Sequence, residues 1–317
     1  MPDTEILSPS ERGIARAAAL LRQGKLVAIP TETVYGLAGD ARNPQAVADI
    51  FAAKGRPAHN PLIVHVTGRD MAREIAQIDD RAETLMHAFW PGALTLVLPL
   101  RAGHGLAPAV TAGLDSVALR MPAHPVAQRL LAAFGGPVAA PSANPSGRIS
   151  PTTAAHVMAG LGGHIAAVLD GGACPVGVES TILGLTGARA TLLREGGISK
   201  DALAAYLGHV PKPPEHGRIT APGQLASHYA PRAKLRLNAT RPQPGEVWIG
   251  FGPDCGGADF TLSASGDLTE AAAALFATLH SADALGRPIA VAPVPEDGLG
   301  AAINDRLRRA AAPRGIA

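Results

Sequence analysis

KLVAIPTETVYGLAGDARNPQAVADIFAAKGRPAHNPLIVHV, residues 25–66, is the stretch whose reading decides the fold. The apolar run 26–29 reads as a buried strand that breaks into the turn Pro30-Thr31-Glu32-Thr33-Val34-Tyr35-Gly36. Asn43-Pro44 then opens a helix, with a capping amide followed by a ring that presets the first helical φ. The loop Lys54-Gly55-Arg56-Pro57 closes that helix, and 62–66 reads as a second strand. Hydroxyls, two cations, an amide and a histidine therefore gather at strand ends, where α/β proteins place their sites.

The same alternation extends in both directions. Upstream, Ser8-Pro9-Ser10-Glu11 reads as a helix start with Ser8 as N-cap, Pro9 at the first helical position and Glu11 completing a capping box. Downstream, strands are expected at 93–98, 116–120, 137–140, 165–169, 181–185 and 191–194, and helices at 70–76, 81–89, 125–134, 153–160 and 199–207. Pro211, Pro213, Pro214, Pro222 and Pro231 then exclude a continuous helix or central strand. The division that follows is a first α/β domain over 10–207, a proline-rich linker over 208–233 and a small C-terminal α/β domain over 234–317. In that last part 245–251 and 288–294 read as strands, 269–284 as a helix and 300–311 as a closing amphipathic helix. The stretch Asn304-Asp305-Arg306-Leu307-Arg308-Arg309 reads as a solvated helix face.

Composition removes several classes of function. Among 317 residues, 28 Lys and Arg balance 26 Asp and Glu for a net charge of +2, which gives no strong electrostatic pull toward nucleic acid. Aromatics at 3% leave few platforms for stacking bases. Cys174 and Cys255 lie far apart without CxxC spacing, so neither a zinc ribbon nor a disulfide framework is expected. No run nears the roughly 18 apolar residues of a membrane span and the N-terminus lacks a leader pattern, so a cytoplasmic protein is expected. Walker, GxGxxG, HExxH and GxSxG signatures are missing, so any ATP site uses another device.

The polar loops carry the chemistry. Gly55 lets the backbone approach a ligand while Lys54 and Arg56 offer a point charge and a planar fork suited to phosphate oxygens; a solvated basic loop has the same composition. The Thr-rich turn at 31–35 fits either a ligand or its own backbone. Arg120 ends an apolar strand, where a guanidinium needs an anion: a substrate carboxylate, or an internal Asp or Glu. His65, in another apolar strand, fits a satisfied core residue as well as a ligand. The small-residue loop 139–147 with Ser142, followed by Ser150, allows close approach to phosphate or ribose. The loops Val178-Glu179-Ser180-Thr181 and Leu193-Arg194-Glu195-Gly196 repeat the theme, and together the loops point to one crowded anionic site.

Taken in order, PTETVYGL, KGRPAHNPL, SVALRMPAHP, APSANPSGRISPT, VESTIL and LLREG resemble the YrdC-like family over about residues 10 to 205. The tail APGQLASHYAP before a small α/β domain resembles its long, two-domain form. The resemblance implies a twisted, largely parallel mixed α/β sheet with a deep concave site and a Rossmann-like C-terminal domain. It also implies a nucleotidyltransferase that converts L-threonine, bicarbonate and ATP to threonylcarbamoyl-adenylate and pyrophosphate. The product would pass to a separate transferase that modifies tRNA beside the anticodon. Threonine would meet Thr33, His65, Arg120, Ser180 and the backbone at Ala140. ATP would meet Arg56, Asn60, Ser116, Ser142, Ser150, Arg194 and, from the linker, Tyr229. Lys54 and Arg56 would serve catalysis beside the phosphates, with a magnesium ion accompanying ATP and no metal ligands assigned on the protein. The linker is the candidate lid, and Gln224-Leu225-Ala226-Ser227 stand in it where related linkers are expected to be more basic.

Two other readings stay open. One is an RNA-binding module of the same pathway without catalysis. The other is a carbamoyl-transfer domain like that inside hydrogenase-maturation proteins, whose zinc-finger and acylphosphatase-like segments are absent here.

Overall fold

The computed structural model describes residues 3–57, 59–213, 221 and 228–313. Most of the linker tract 214–227, including Gln224 to Ser227 and the lid expected there, lies outside the described residues.

The first part of the chain runs β1 (Glu5–Leu7), α1 (Glu11–Arg22), β2 (Val27–Ile29), β3 (Gly36–Asp40), α2 (Pro44–Lys54), β4 (Ile63–His65), α3 (Arg69–Ile75) and α4 (Asp80–Phe89). It continues as β5 (Leu94–Pro99), β6 (Ser116–Arg120), α5 (Pro125–Phe134), β7 (Val138–Ala139), α6 (Ala154–Leu161), β8 (Ala167–Leu169), β9 (Thr181–Gly184), β10 (Thr191–Arg194) and α7 (Lys200–Leu207). Its strands form one ten-stranded sheet in the order β1-β8-β2-β3-β7-β4-β6-β5-β9-β10. β1 adds an edge strand ahead of residue 10. Four of the nine neighbouring pairs are parallel and five antiparallel, so the sheet is mixed and not largely parallel.

After residue 234 come β11 (Leu235–Arg236), β12 (Val247–Gly250), β13 (Phe260–Thr261), α8 (Leu268–Ala284), β14 (Ile289–Val291) and α9 (Gly300–Ala311). These strands make a second, all-parallel sheet in the order β11-β14-β12-β13.

Side-chain alternation along the strands sets the layers. In β2, Val27 and Ile29 pack with Ile14 and Leu21 of α1 and Leu130 and Phe134 of α5, while Ala28 faces the larger core built with Val47, Ile50 and Leu85. A third cluster, Ile63, Val97, Ala118, Ile182 and Ala221, covers part of the sheet face that bears the site. The C-terminal core takes in Val34, Ile149, Val178 and Tyr229, so the two parts share buried apolar surface.

Two local expectations differ. The N-cap of α1 is Ser10, whose hydroxyl accepts from the Gly13 amide at 3.2 Å; Ser8 stands outside the helix, its hydroxyl 2.9 Å from that of Ser10. Both serines suit a cap, and the chain uses the later one, which leaves Pro9 before the helix. β3 is not among the strands expected from the sequence, and its two glycines are residues that weaken strands. Here a Cβ on Gly39 would lie 3.1 Å from Ile50 and 3.2 Å from Leu26, so the glycine lets α2 pack close on the strand. Asn43 does cap α2, and Gly55 closes it at φ 58°, a left-handed conformation that glycine adopts without strain.

Candidate active site

The site grows from one face of the large sheet. Alternation puts His65, Thr95 and Arg120 on the same face as Ile63, Val97, Ala118 and Ile182. His65 of β4 registers against Arg120 of β6, and Thr95 of β5 against Ile182 of β9. A polar row thus crosses the sheet, and the Thr95 and Ser180 hydroxyls meet at 2.7 Å. The turn after β2 and the loop after β7 close over it: Thr31, Thr33, Val34, Gly36, Arg56, Ile63, His65, Arg120, Ala140, Pro141, Ser142, Glu179, Ser180, Arg194, His228 and Tyr229 line one cavity.

The Thr-rich turn serves both purposes open to it. Thr31 Oγ1 accepts from the amides of Thr33 and Val34 at 3.2 Å, holding its own backbone. The Thr33 hydroxyl instead accepts from Arg120 Nη1 at 2.8 Å. Arg120 has the internal acid among its partners: Nη2 donates to Glu32 Oε1 at 2.6 Å and Nε to the Gly92 carbonyl at 3.1 Å. A guanidinium carries five N–H groups, so Arg120 keeps donors beyond these three. Glu32 also accepts from the Ala123 amide at 3.0 Å. Burial pushes the Glu32 carboxyl up, but the charge and hydrogen bond of Arg120 outweigh it and hold it below the usual value.

Arg56 and Arg194 differ from Arg120 in their partners. Arg56 donates to the carbonyls of Asn60 and Pro61, and Arg194 to the carbonyl and hydroxyl of Ser180. Among the described residues neither has a carboxylate within ion-pair distance, although burial pushes both down, Arg56 to about 10. Buried guanidinium groups without an anion are costly, and an anionic ligand relieves that cost. Asn60 adds to the signal: it is buried, and both its side-chain polar atoms lack partners among the described residues.

Not every expected residue lines the cavity. The Lys54 ammonium is buried beneath it and donates to the carbonyls of Ser142 and Asn144, with burial pushing it well below its usual value. It holds the small-residue loop and does not face the cavity. Asn60 and Ser150 lie just behind the lining, Ser150 donating to Glu179 Oε1. Ser116 stands at the other end of β6 from Arg120, roughly 13 Å away at the rise of a strand.

Glu32, Glu179 and His228 were missed as site residues. The first two stand inside the quoted motifs, where acids beside threonines and serines pointed to turns. His228 is buried, its ring tilted by 35° against that of Tyr229 at 4.0 Å between centroids, and Tyr229 holds φ 62°. The cavity left beneath this pair is about 50 Å³, room for water but not for an amino acid with a nucleotide.

The buried imidazoles yield a pH prediction. Burial pushes both His65 and His228 down to about 3, with Arg120 adding to the effect on His65 and Glu32 opposing it. The unfolded chain then binds more protons than the folded one from about pH 6.5 downward. Stability should fall as pH drops from 6.5, by up to about 1.4 kcal/mol per pH unit for each such histidine. Thermal melts from pH 8 to 5 test this; a midpoint that stays level below pH 6.5 contradicts it.

Residues 19–196 match the Sua5/YciO/YrdC family model, described as "Telomere recombination". Residues 198–312 match the model described as "Threonylcarbamoyl-AMP synthase, C-terminal domain". The threonylcarbamoyl-AMP synthase of Bacillus subtilis is 42% identical, covering 99% of this chain and 97% of its own length. That of Pyrococcus abyssi is 40% identical over 93% of this chain and 92% of its own. The crystal structure of P. abyssi Sua5 complexed with L-threonine superposes with a TM-score of 0.89 at 38% identity, covering 97% of this chain and 98% of that one.

Proposed function

This chain belongs to the Sua5/YciO/YrdC family, and from that premise we propose that it is a threonylcarbamoyl-AMP synthase, joining L-threonine, bicarbonate and ATP with release of pyrophosphate. The observation that carries the reading is the pair of buried guanidinium groups, Arg56 and Arg194, that share a cavity with Thr33, His65, Arg120 and Ser180 but form no ion pair with a carboxylate among the described residues.

Threonine's ammonium and bicarbonate give the N-carboxylate, water and a proton. A carbamate oxygen then attacks the α-phosphorus; the new O–P bond forms as the bond to the β-phosphate oxygen breaks, and pyrophosphate leaves with the electron pair. Such a transfer needs alignment and charge neutralisation more than covalent help. Arg120, with Thr33, His65, Ser180 and the backbone at Ala140, is assigned to threonine. Its spare N–H groups suit the carboxylate, and neutral His65 avoids placing a further cation beside the amine. Arg56 and Arg194, with Asn60, Ser142, Ser150 and Tyr229, are assigned to ATP. Lys54 supports the loop bearing Ser142, and Ser116, which the register of β4 and β6 sets toward Pro61 and hence toward Arg56, stays assigned to the ATP set. His228 and Tyr229 line the cavity, and a site closed on that side would keep water from the carbamate and the adenylate.

Magnesium is expected with ATP, yet the residues present do not form a cage for it. Among the described residues no cluster of three His, Cys, Asp or Glu exists. Both oxygens of Glu32 and of Glu179 already accept hydrogen bonds. A metal would therefore arrive on the triphosphate.

Among the described residues no helix is long and apolar enough to cross a membrane. We place the enzyme in the cytoplasm, where its adenylate would pass to a transferase acting on tRNA. The RNA-binding alternative finds no support at this site, whose arginines are buried. Pyrophosphate release should require threonine, bicarbonate and ATP together, so each is omitted in turn. Release that ignores threonine would overturn the reading.

A further inference from the structure

Glu179 is the only acid among the described residues that line the cavity, and it faces a space otherwise furnished with arginines and hydroxyls. An ionised carboxylate there repels a polyphosphate. Its counter-ion comes from the C-terminal domain: Arg306 of α9 donates from Nε to Glu179 Oε2 at 2.9 Å. Ser150 takes the other carboxylate oxygen at 2.5 Å.

The stretch 304–309, expected to be a solvated face, is thus corrected by the structure at Arg306, which has 0% exposure. Ile303, Leu307 and Ala310 form the buried stripe of α9, and Arg306 falls on it one turn after Ile303. Its Nη1 reaches the Glu195 carbonyl at 2.7 Å and Asp305 Oδ2 at 3.0 Å. One side chain therefore ties down the residues preceding Ser180 and following Arg194. The guanidinium carbon also lies 5.4 Å from the centre of the Tyr229 ring, within cation–π range.

We propose that Arg306 is a positioning residue of the cavity, which neutralises Glu179 so that the nucleotide's phosphates can bind. Charge balance agrees: burial pushes the Glu179 carboxyl up, but Arg306 and Arg194 outweigh it and keep it ionised. The inference rests on the adenylate-forming reading in one respect, that the anion received is ATP.

Calorimetry with ATP and with threonine separates the two. Arg306→Met should weaken ATP binding by at least about tenfold and threonine binding by much less, because the uncovered charge opposes a polyphosphate far more strongly than a single carboxylate paired with its own ammonium. Glu179→Gln added to Arg306→Met removes that charge and should restore ATP affinity to within about threefold of the parent, a rescue that loss of packing alone would not give. If Arg306→Met fails to fold, shown by loss of a cooperative melt, the double variant and Arg306→Lys decide, the latter expected within about threefold of the parent. Equal ATP affinity in the parent and Arg306→Met, or a double variant as weak as Arg306→Met, overturns the inference alone. A parent chain that binds neither ligand overturns the functional reading and this inference with it.

Discussion

Arg120→Ala should cost about 3–5 kcal/mol of stability and weaken threonine binding by at least about a hundredfold. Two losses combine. Glu32 is left with the Ala123 amide alone for its carboxylate, and a buried charge without its partner is among the costliest defects a core can carry. The Thr33 hydroxyl loses its donor, and a bound threonine would lose the fork proposed for its carboxylate. Glu32→Gln separates the terms, since it keeps the acceptor and the guanidinium but removes the acid; it should lower stability while retaining more of the affinity. Denaturant unfolding gives the first quantity and calorimetric titration the second. A folded Arg120→Ala that binds threonine as well as the parent would make Arg120 purely structural.

Gly196→Ala is the second large effect, and it arises from space alone. A Cβ at this position would lie 2.3 Å from the Thr181 amide nitrogen, 2.4 Å from the Glu179 carbonyl oxygen and 2.4 Å from the Ser180 carbonyl carbon. All three are backbone, so no rotamer change relieves the clash. The residues forced to move are Glu179 and Ser180, which line the cavity. Overpacking of this kind costs about 1–3 kcal/mol, and a shift near 1 Å in a reacting geometry costs about a hundredfold in rate. kcat/KM for pyrophosphate release should therefore fall by about two orders of magnitude. Gly187→Ala is the control: its nearest neighbour would be 3.9 Å away, so activity should hold. If both substitutions behave alike, the argument from space fails.

Regular periodicity made much of the fold legible. β6, β10, α5 and α9 occupy the residues read for them, because apolar spacing and punctuation by Pro and Gly agree there. β3 was hidden because Gly36 serves close packing on Ala140 and Gly39 on α2, a reason that exists only once those partners are in place. In the site, strand-end loops were visible as clusters of hydroxyls and cations, and the structure gathers Thr33, Arg56, His65, Arg120, Ala140, Ser142, Ser180, Arg194 and Tyr229 around one cavity. What composition could not convey was direction. Lys54 ends a helix beside a loop, the usual setting for a solvated lysine, yet its ammonium turns inward to two carbonyls. Arg306 could have been found from the i, i+3, i+4 spacing of Ile303, Arg306 and Leu307, but its partner lies 127 residues away.

The Glu179–Arg306 bridge constrains how this chain could ever be shortened. A descendant that lost everything after the tenth strand would inherit a buried acid beside the proposed phosphate site with its ion-pair partner gone. Shedding the second unit should therefore go together with exchange of the acid at 179.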